Sequence, residues 1–314
     1  MSEIVDKDLI NSHDKFFKSL FSRKEAVSEF VAKILPSPVA DKLDTDTLVL
    51  DSNEYIDKKL KTHFSDVVYR CAYHTDKEEA VPIKISLLFE HKSYPESHPH
   101  LQLLRYLLNI WETQKKQKEA FTPVIPIIFY HGMPVWHKKP LDDYFSTSDE
   151  YLQQFMPRFD YLLVDTKQYE DAIFKELNTL ELQMGMLIMK NIFQTETMLQ
   201  KFAYIFSEIE ALLATEKGRH YFESIATYLY YNTNLTTETL VEKMNTVSAQ
   251  AKDTFVSTAM RLEKRGEERG IEKEKNIVAL SMLREGIADS LIKKCTQITT
   301  EQLSRLKRQL TTDS

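Results

Sequence analysis

Asp66, Glu90 and Lys92 have the residue types and spacing for one definite piece of chemistry. Glu90 and Lys92 stand two apart at the end of the apolar run VPIKISLLFEH. In a strand they share a face, with backbones roughly 6–7 Å apart, while His91 alternates to the other face. Asp66 opens the preceding run, DVVYRCAY. In an antiparallel hairpin the start of one strand lies beside the end of the next, so Asp66 can join the pair if the register allows it. Two carboxylates suit a hard Mg²⁺ ion, with Mn²⁺ or Ca²⁺ as substitutes. Such an ion polarises a phosphodiester and acidifies an attacking water, and an ammonium stabilises the charge that develops. The expected reaction is metal-assisted phosphodiester hydrolysis. The spacing alone is not specific: Asp57-Lys58-Lys59 and Asp165-Thr166-Lys167 repeat it, the latter also after a strand-like run. An exposed strand-end ion pair is the ordinary alternative.

The elements that must position these groups follow from periodicity. Phe16, Phe17, Leu20 and Phe21, then Val27, Phe30, Val31 and Ile34, predict two opening helices that end before Pro36. TLVLD, HFSDVVYRCAY and VPIKISLLFEH predict a three-strand meander. Pro99 starts a helix with Leu101, Leu104 and Leu108 along it; Gln102, Arg105 and Asn109 share another, polar face that could look into a site. FTPVIPIIFYHG reads as a buried strand covered on both sides, and FDYLLVD repeats the pattern. The order is α-β-β-β-α-β with a further strand. Residues 11–170 form this α/β core, and 171–250 read as a helical extension of three or four packed helices. The charged run RLEKRGEERGIEKEK marks 251–275 as an exposed helix or linker, and 276–314 as a small helical appendage with a capping-box-like TTEQ segment.

Composition narrows the classes. Six glycines and 10 prolines in 314 residues, with 42% hydrophobic content, exclude collagen-like or largely disordered chains. Two distant cysteines, Cys71 and Cys295, exclude a disulfide framework and a zinc ribbon, and fit a reducing, bacterial-type cytoplasm. No export signal or membrane span is expected. The net charge of −6 runs against phosphate binding, but basic runs occur at Lys58, Lys59 and Lys61 and at Lys115, Lys116 and Lys118. His91, His98, His100 and His131 suggest zinc, yet H-x-H in a loop lacks the i, i+4 placement of such sites. Trp111 and Trp136 read as packing residues, and no phosphate-cradling G-x-x-x-x-G-K-[ST] loop is present.

HDKFFKSLFS, FSDVVYR, LLFEHKS, LLRYLLNIWE and VIPIIFYHG, in this order and at these intervals, resemble the recombination-promoting nuclease (Rpn) and putative transposase family, a branch of the PD-(D/E)XK nuclease superfamily. The resemblance covers about residues 11 to 250. It implies a restriction-endonuclease-like α/β core, a mixed sheet flanked by helices, followed by an all-helical region and a small helical tail. It implies Asp66 as first metal-binding aspartate, Glu90 as second acid and Lys92 as catalytic lysine, where many family members carry Gln. Asp14 falls where the superfamily often adds an acidic residue, and Gln102 where a polar residue borders the site; a helix N-terminal acid and a solvent stripe with Arg105 are the plain alternatives. The implied activity is magnesium-dependent endonucleolytic cleavage of double-stranded DNA in recombination or transposition. The alternative is a catalytically weak DNA-binding module of the same fold. The helical regions, with Lys293, Lys294, Arg305, Lys307 and Arg308 in the tail, are candidates for homo-oligomer formation or phosphate contact.

Overall fold

The computed structural model describes residues 12–51, 66–75, 83–145 and 149–312; at Asp66, residues 83–88, Glu90, Glu150, Gln153, Gln309, Thr311 and Thr312 it describes the backbone alone. Lys58, Lys59 and Lys61, with the triplet at Asp57, lie outside the described residues. By contacts the chain forms two compact units, Met1–Phe255 and Val256–Ser314.

The first unit opens with α1 (Ser12–Phe21), α2 (Lys24–Ile34) and the short α3 (Ser37–Ala40). A five-stranded sheet follows, in the order β1 (Leu43–Leu50), β2 (Asp66–Tyr73), β3 (Ile83–Lys92), β4 (Val124–Tyr130), β5 (Leu162–Asp165). β1–β2 and β2–β3 pair antiparallel, β3–β4 and β4–β5 parallel. A parallel pair needs a crossover, and α4 (Pro99–Gln117) supplies it between β3 and β4. Pro99 costs nothing at the first helical turn, where its missing N–H would have no intrahelical partner. Pro126 is tolerated inside β4 because β5 joins only from Ile127 onward.

Strand alternation divides the core in two. On one face Val68, Ile128 and Tyr130 pack against Leu103, Tyr106 and Ile110 of α4. On the other, Phe89 and Phe129 meet Phe17 and Phe21 of α1, with ring centroids 5.4–5.5 Å apart for Phe17–Phe129 and Phe21–Phe89. The sheet is thus covered on both sides, which explains why the apolar continuity of VIPIIFY replaces polar alternation in β4.

The short α5 (Glu150–Gln153) precedes β5, and beyond β5 come α6 (Asp171–Lys175), α7 (Leu180–Asn191), α8 (Thr195–Gln200), α9 (Phe202–Ile205), α10 (Ile209–Leu213), α11 (Glu216–Asn232) and α12 (Thr237–Val247). α7 is buried on nearly every side, the pattern of a helix at the centre of a bundle. MLQKFAYIFSEIEALL, read in sequence as one helical stretch, is three pieces. The backbone at Lys201, Phe206 and Glu208 moves to φ near −91 to −101° and ψ of 2 to 17°, close enough to helical to keep Met198, Phe202, Ile205 and Ile209 buried.

The charged run 261–275 lies inside α13 (Ala249–Arg284), a helix of 36 residues. α14 (Asp289–Thr296) and α15 (Thr300–Thr312) complete the second unit around Ala279, Ile292, Ile298, Leu303 and Leu306. Gly286 takes the left-handed turn between α13 and α14 at φ +72°. The TTEQ segment forms a reciprocal cap: Thr299 N–H donates to Gln302 Oε1 at 2.8 Å and Gln302 N–H to Thr299 Oγ1 at 3.1 Å. Among the described residues no helix is long and apolar enough to cross a membrane.

Candidate active site

β2 and β3 pair in unbroken register from Tyr73↔Ile83 to Asp66↔Glu90. Asp66 and Glu90 are therefore direct cross-strand partners. Such partners share a sheet face, with Cβ atoms about 4.5–5.5 Å apart. Lys92 follows two residues later, opposite Tyr130 of β4. The register that sequence reasoning left open is the one that brings the two acid positions together.

Lys92 is 4% exposed, and its Nζ donates to Gln102 Oε1 of α4 at 2.8 Å. A buried ammonium needs such acceptors. Gln102 in turn lines an open pocket of about 260 Å³ along α4, with Glu96, His98, Leu101, Arg105, Tyr106 and Asn109. The polar stripe Gln102–Arg105–Asn109 thus faces this pocket, and Arg105 is exposed there. Gln102 is brought to the Lys92 end of β3.

Asp14 is placed elsewhere. Its Oδ1 lies 2.8 Å from His91 Nδ1, and His91 alternates away from Lys92 onto the α1 face of the sheet. A carboxylate only accepts, so Nδ1 carries the proton and Nε2 is left as a buried lone pair with no partner among the described residues. His131, at the end of β4, and His13, beside Asp14, complete a cluster, with ring centroids 4.9 Å (His91–His131) and 5.1 Å (His13–His131) apart. His13 Nδ1 lies 2.7 Å from the Tyr228 hydroxyl, and His131 Nδ1 donates to the Met189 carbonyl at 3.1 Å. Burial holds all three imidazoles below their ordinary pKa, His13 down to about 4, with His91 reinforcing the shift and Asp14 opposing it. Sequence reasoning missed that His91 answers Asp14. A polar residue at the alternate position of a doubly buried strand was the available signal, since it demands a partner.

The competing triplet resolves differently. Asp165 ends β5 and turns back to accept the Lys167 N–H at 3.1 Å, while Lys167 Nζ donates to the Met133 carbonyl. Burial raises the Asp165 carboxyl. These two groups cap a turn instead of sharing a strand face. His100 is 1% exposed and packs among Tyr144, Phe159 and Tyr161, and His98 precedes α4 on the surface. Among the described residues no group of three or more His, Cys, Asp or Glu is arranged to hold a metal ion. Trp111 and Trp136 pack, donating to the Thr122 carbonyl at 2.9 Å and the Tyr161 hydroxyl at 3.3 Å.

Residues 11–220 match the family described as "Putative transposase, YhgA-like". The chain is 30% identical over 122 residues to the recombination-promoting nuclease RpnA of Escherichia coli K12, covering 38% of this chain and 40% of RpnA. It is 28% identical over 122 residues to RpnD of Escherichia coli O157:H7, covering 38% of this chain and 45% of RpnD. The matched segment thus spans less than half the length of these relatives. Against the inactive recombination-promoting nuclease-like protein RpnE of Escherichia coli K12 the identity is 24% over 295 residues, 91% of this chain and 94% of RpnE. No solved structure is a significant match. On these matches the chain belongs to the recombination-promoting nuclease (Rpn)/YhgA-like putative transposase family.

Proposed function

We propose that the chain is a magnesium-dependent DNA endonuclease with a PD-(D/E)XK-type core, acting on double-stranded DNA in recombination. The observation that carries this reading is the Asp66↔Glu90 register pair with Lys92 two residues on. The donor set fits the ion: two carboxylate positions on one sheet face give hard oxygen ligands, and Mg²⁺ keeps several waters, so a pair of acids is enough. Asp66 and Glu90 would hold Mg²⁺, or Mn²⁺ in its place. Bound there, the ion supplies charge neutralisation at the phosphate and an acidified water.

The remaining work belongs to the chain. Lys92 offers a fixed positive charge for the developing phosphorane, and burial against Gln102 orients it before substrate arrives. The pocket along α4 gives the strand a place to lie beside the chemistry, with Arg105 available to a phosphate. Lys115, Lys116 and Lys118, exposed at the far end of α4, extend the basic surface.

Supercoiled plasmid incubated with protein and Mg²⁺ is the test. Nicked and linear products are expected, and Asp66→Asn, Glu90→Gln and Lys92→Met should each slow their appearance by on the order of 10²–10³-fold or more. Three variants that cut as fast as the parent protein would end the assignment.

One observation favours a second reading: the full-length similarity is to RpnE, which is named inactive. In that reading the fold binds DNA without cutting it. Calorimetry separates the two, because a silent module gives no Mn²⁺ heat that is lost in Asp66→Asn.

A further inference from the structure

The catalytic end of β3 is fastened on three sides. Toward α4, Lys92 Nζ is held by Gln102. Toward β4, the His131 N–H donates to the Lys92 carbonyl at 3.2 Å, and the chain after Lys92 runs so close that a Cβ on Gly132 would meet the Ser93 carbonyl oxygen at 2.2 Å. Toward α1, the attachment is the Asp14–His91 hydrogen bond. His91 sits between Glu90 and Lys92 in the chain, so a shift of its backbone is passed to both neighbours. Its side chain is 1% exposed and lies 5.1 Å from the Phe17 ring, whereas Asp14 is 23% exposed. In that apolar setting a hydrogen bond to an ionised acceptor is short and strong.

We propose, resting on the nuclease reading above, that Asp14 is a positioning residue of the cleavage site: its hydrogen bond through the sheet to His91 fixes the pleat of β3 and so holds Glu90 and Lys92 in their reacting positions. Asp14 touches neither substrate nor metal in this role. It acts from the opposite side of the sheet.

Two substitutions isolate the claim. Asp14→Asn keeps an oxygen acceptor for His91 Nδ1–H but removes the charge; Asp14→Ala removes both. If Asp14 served only the α1 macrodipole, or bound the metal, the loss of charge would make Asn as damaging as Ala. For a positioning hydrogen bond, Ala should lower kcat about 10- to 100-fold at little-changed KM for plasmid, and Asn should restore it to within about threefold. Mn²⁺ affinity by calorimetry should weaken in the Ala variant by a similar factor and recover in the Asn variant. Amide exchange at His91 and Lys92 should quicken in Ala alone, with circular dichroism reporting an intact fold.

Cleavage by Asp14→Ala at the parent rate overturns the proposal, as does an Asn variant as slow as Ala. A parent protein that binds Mn²⁺ without cutting removes the nuclease reading alone, and the calorimetric and exchange comparisons then decide the positioning. A parent that neither cuts nor binds Mn²⁺ removes both.

Discussion

Acidification from pH 7 to pH 5 should destabilise the first unit through its buried histidines, and His13 gives the magnitude. Its folded pKa is about 4 against an ordinary value of 6.5, lowered by burial and by His91 and raised only partly by Asp14. Above pH 6.5 neither the folded nor the unfolded chain binds this proton, so nothing is lost. As pH falls through 6.5 the unfolded chain takes up a proton that the folded chain refuses, and stability drops until the pH nears 4, where the folded form is protonated too. At pH 5 the difference amounts to about 2 kcal/mol for His13 alone. His91 and His131, both also lowered, act in the same direction, and the other groups acting on the cluster are Asp14, Tyr228, Lys92 and Lys167. The depressed carboxyls of Glu29, Asp160 and Asp171 contribute losses only at lower pH, and the raised Asp165 opposes them. Urea titration followed by tryptophan emission is the assay. Trp111 and Trp136, the 2 tryptophans of the chain, both lie in the first unit, so the signal is not mixed with melting of the second. His13→Asn should be less stable at pH 7 and should lose about 2 kcal/mol less than the parent between pH 7 and pH 5. Equal losses in parent and variant would refute the linkage.

Gly185→Ala should cost about 1–3 kcal/mol in the same titration, since its Cβ would meet the Tyr221 hydroxyl at 2.6 Å and Leu20 Cδ2 at 2.7 Å in a packed core. Gly132→Ala should cost both stability and cleavage, because its Cβ would meet the Ser93 carbonyl oxygen at 2.2 Å, just past Lys92, and the buried Tyr130 ring at 2.5 Å; a kcat within twofold of the parent would count against this. Phe17→Ala, which removes a fully buried ring stacked 4.3 Å from Phe21, should cost about 3–5 kcal/mol by urea midpoint. A chain ending at Phe255 keeps the buried Ala251 and Phe255 and should retain its tryptophan-reported stability, while DNA affinity or mass by light scattering changes; no change in either speaks against a role for the tail in binding or self-association.

How much was legible in sequence depended on how local the cause was. The meander, the crossover helix and the continuous apolar β4 are written in short-range periodicity, and IKISLLFEHK and VIPIIFY became strands where alternation and branched side chains said they would. The Thr299–Gln302 cap was equally local. The pairing of Asp66 with Glu90 needed a register that no dipeptide encodes. The Asp14–His91 bond joins residues 77 positions apart, beyond any periodic signal. The break-up of 195–213 into short pieces was invisible for the opposite reason: near-helical turns at Lys201 and Phe206 preserve the apolar period while interrupting the hydrogen bonds.

Neighbouring positions of β3 also carry different kinds of consequence. Phe89 faces α1, where it meets the ring of Phe21, so its substitution removes packing and the cost falls on folding, while His91 beside it carries the Asp14 bond, whose loss should slow cleavage. Lys92 faces α4, where its partner Gln102 borders an open pocket, and Asp66 lies in register with Glu90 at the end of the same pair of strands. Substitution at Glu90 or Lys92 should therefore cost chemistry with little loss of urea stability, and Phe89→Ala should do the reverse, by about 3–5 kcal/mol. A Lys92→Met variant that unfolds as readily as Phe89→Ala would mean that burial of this ammonium serves the fold, and the division of labour between Phe89 and Lys92 would have to be given up.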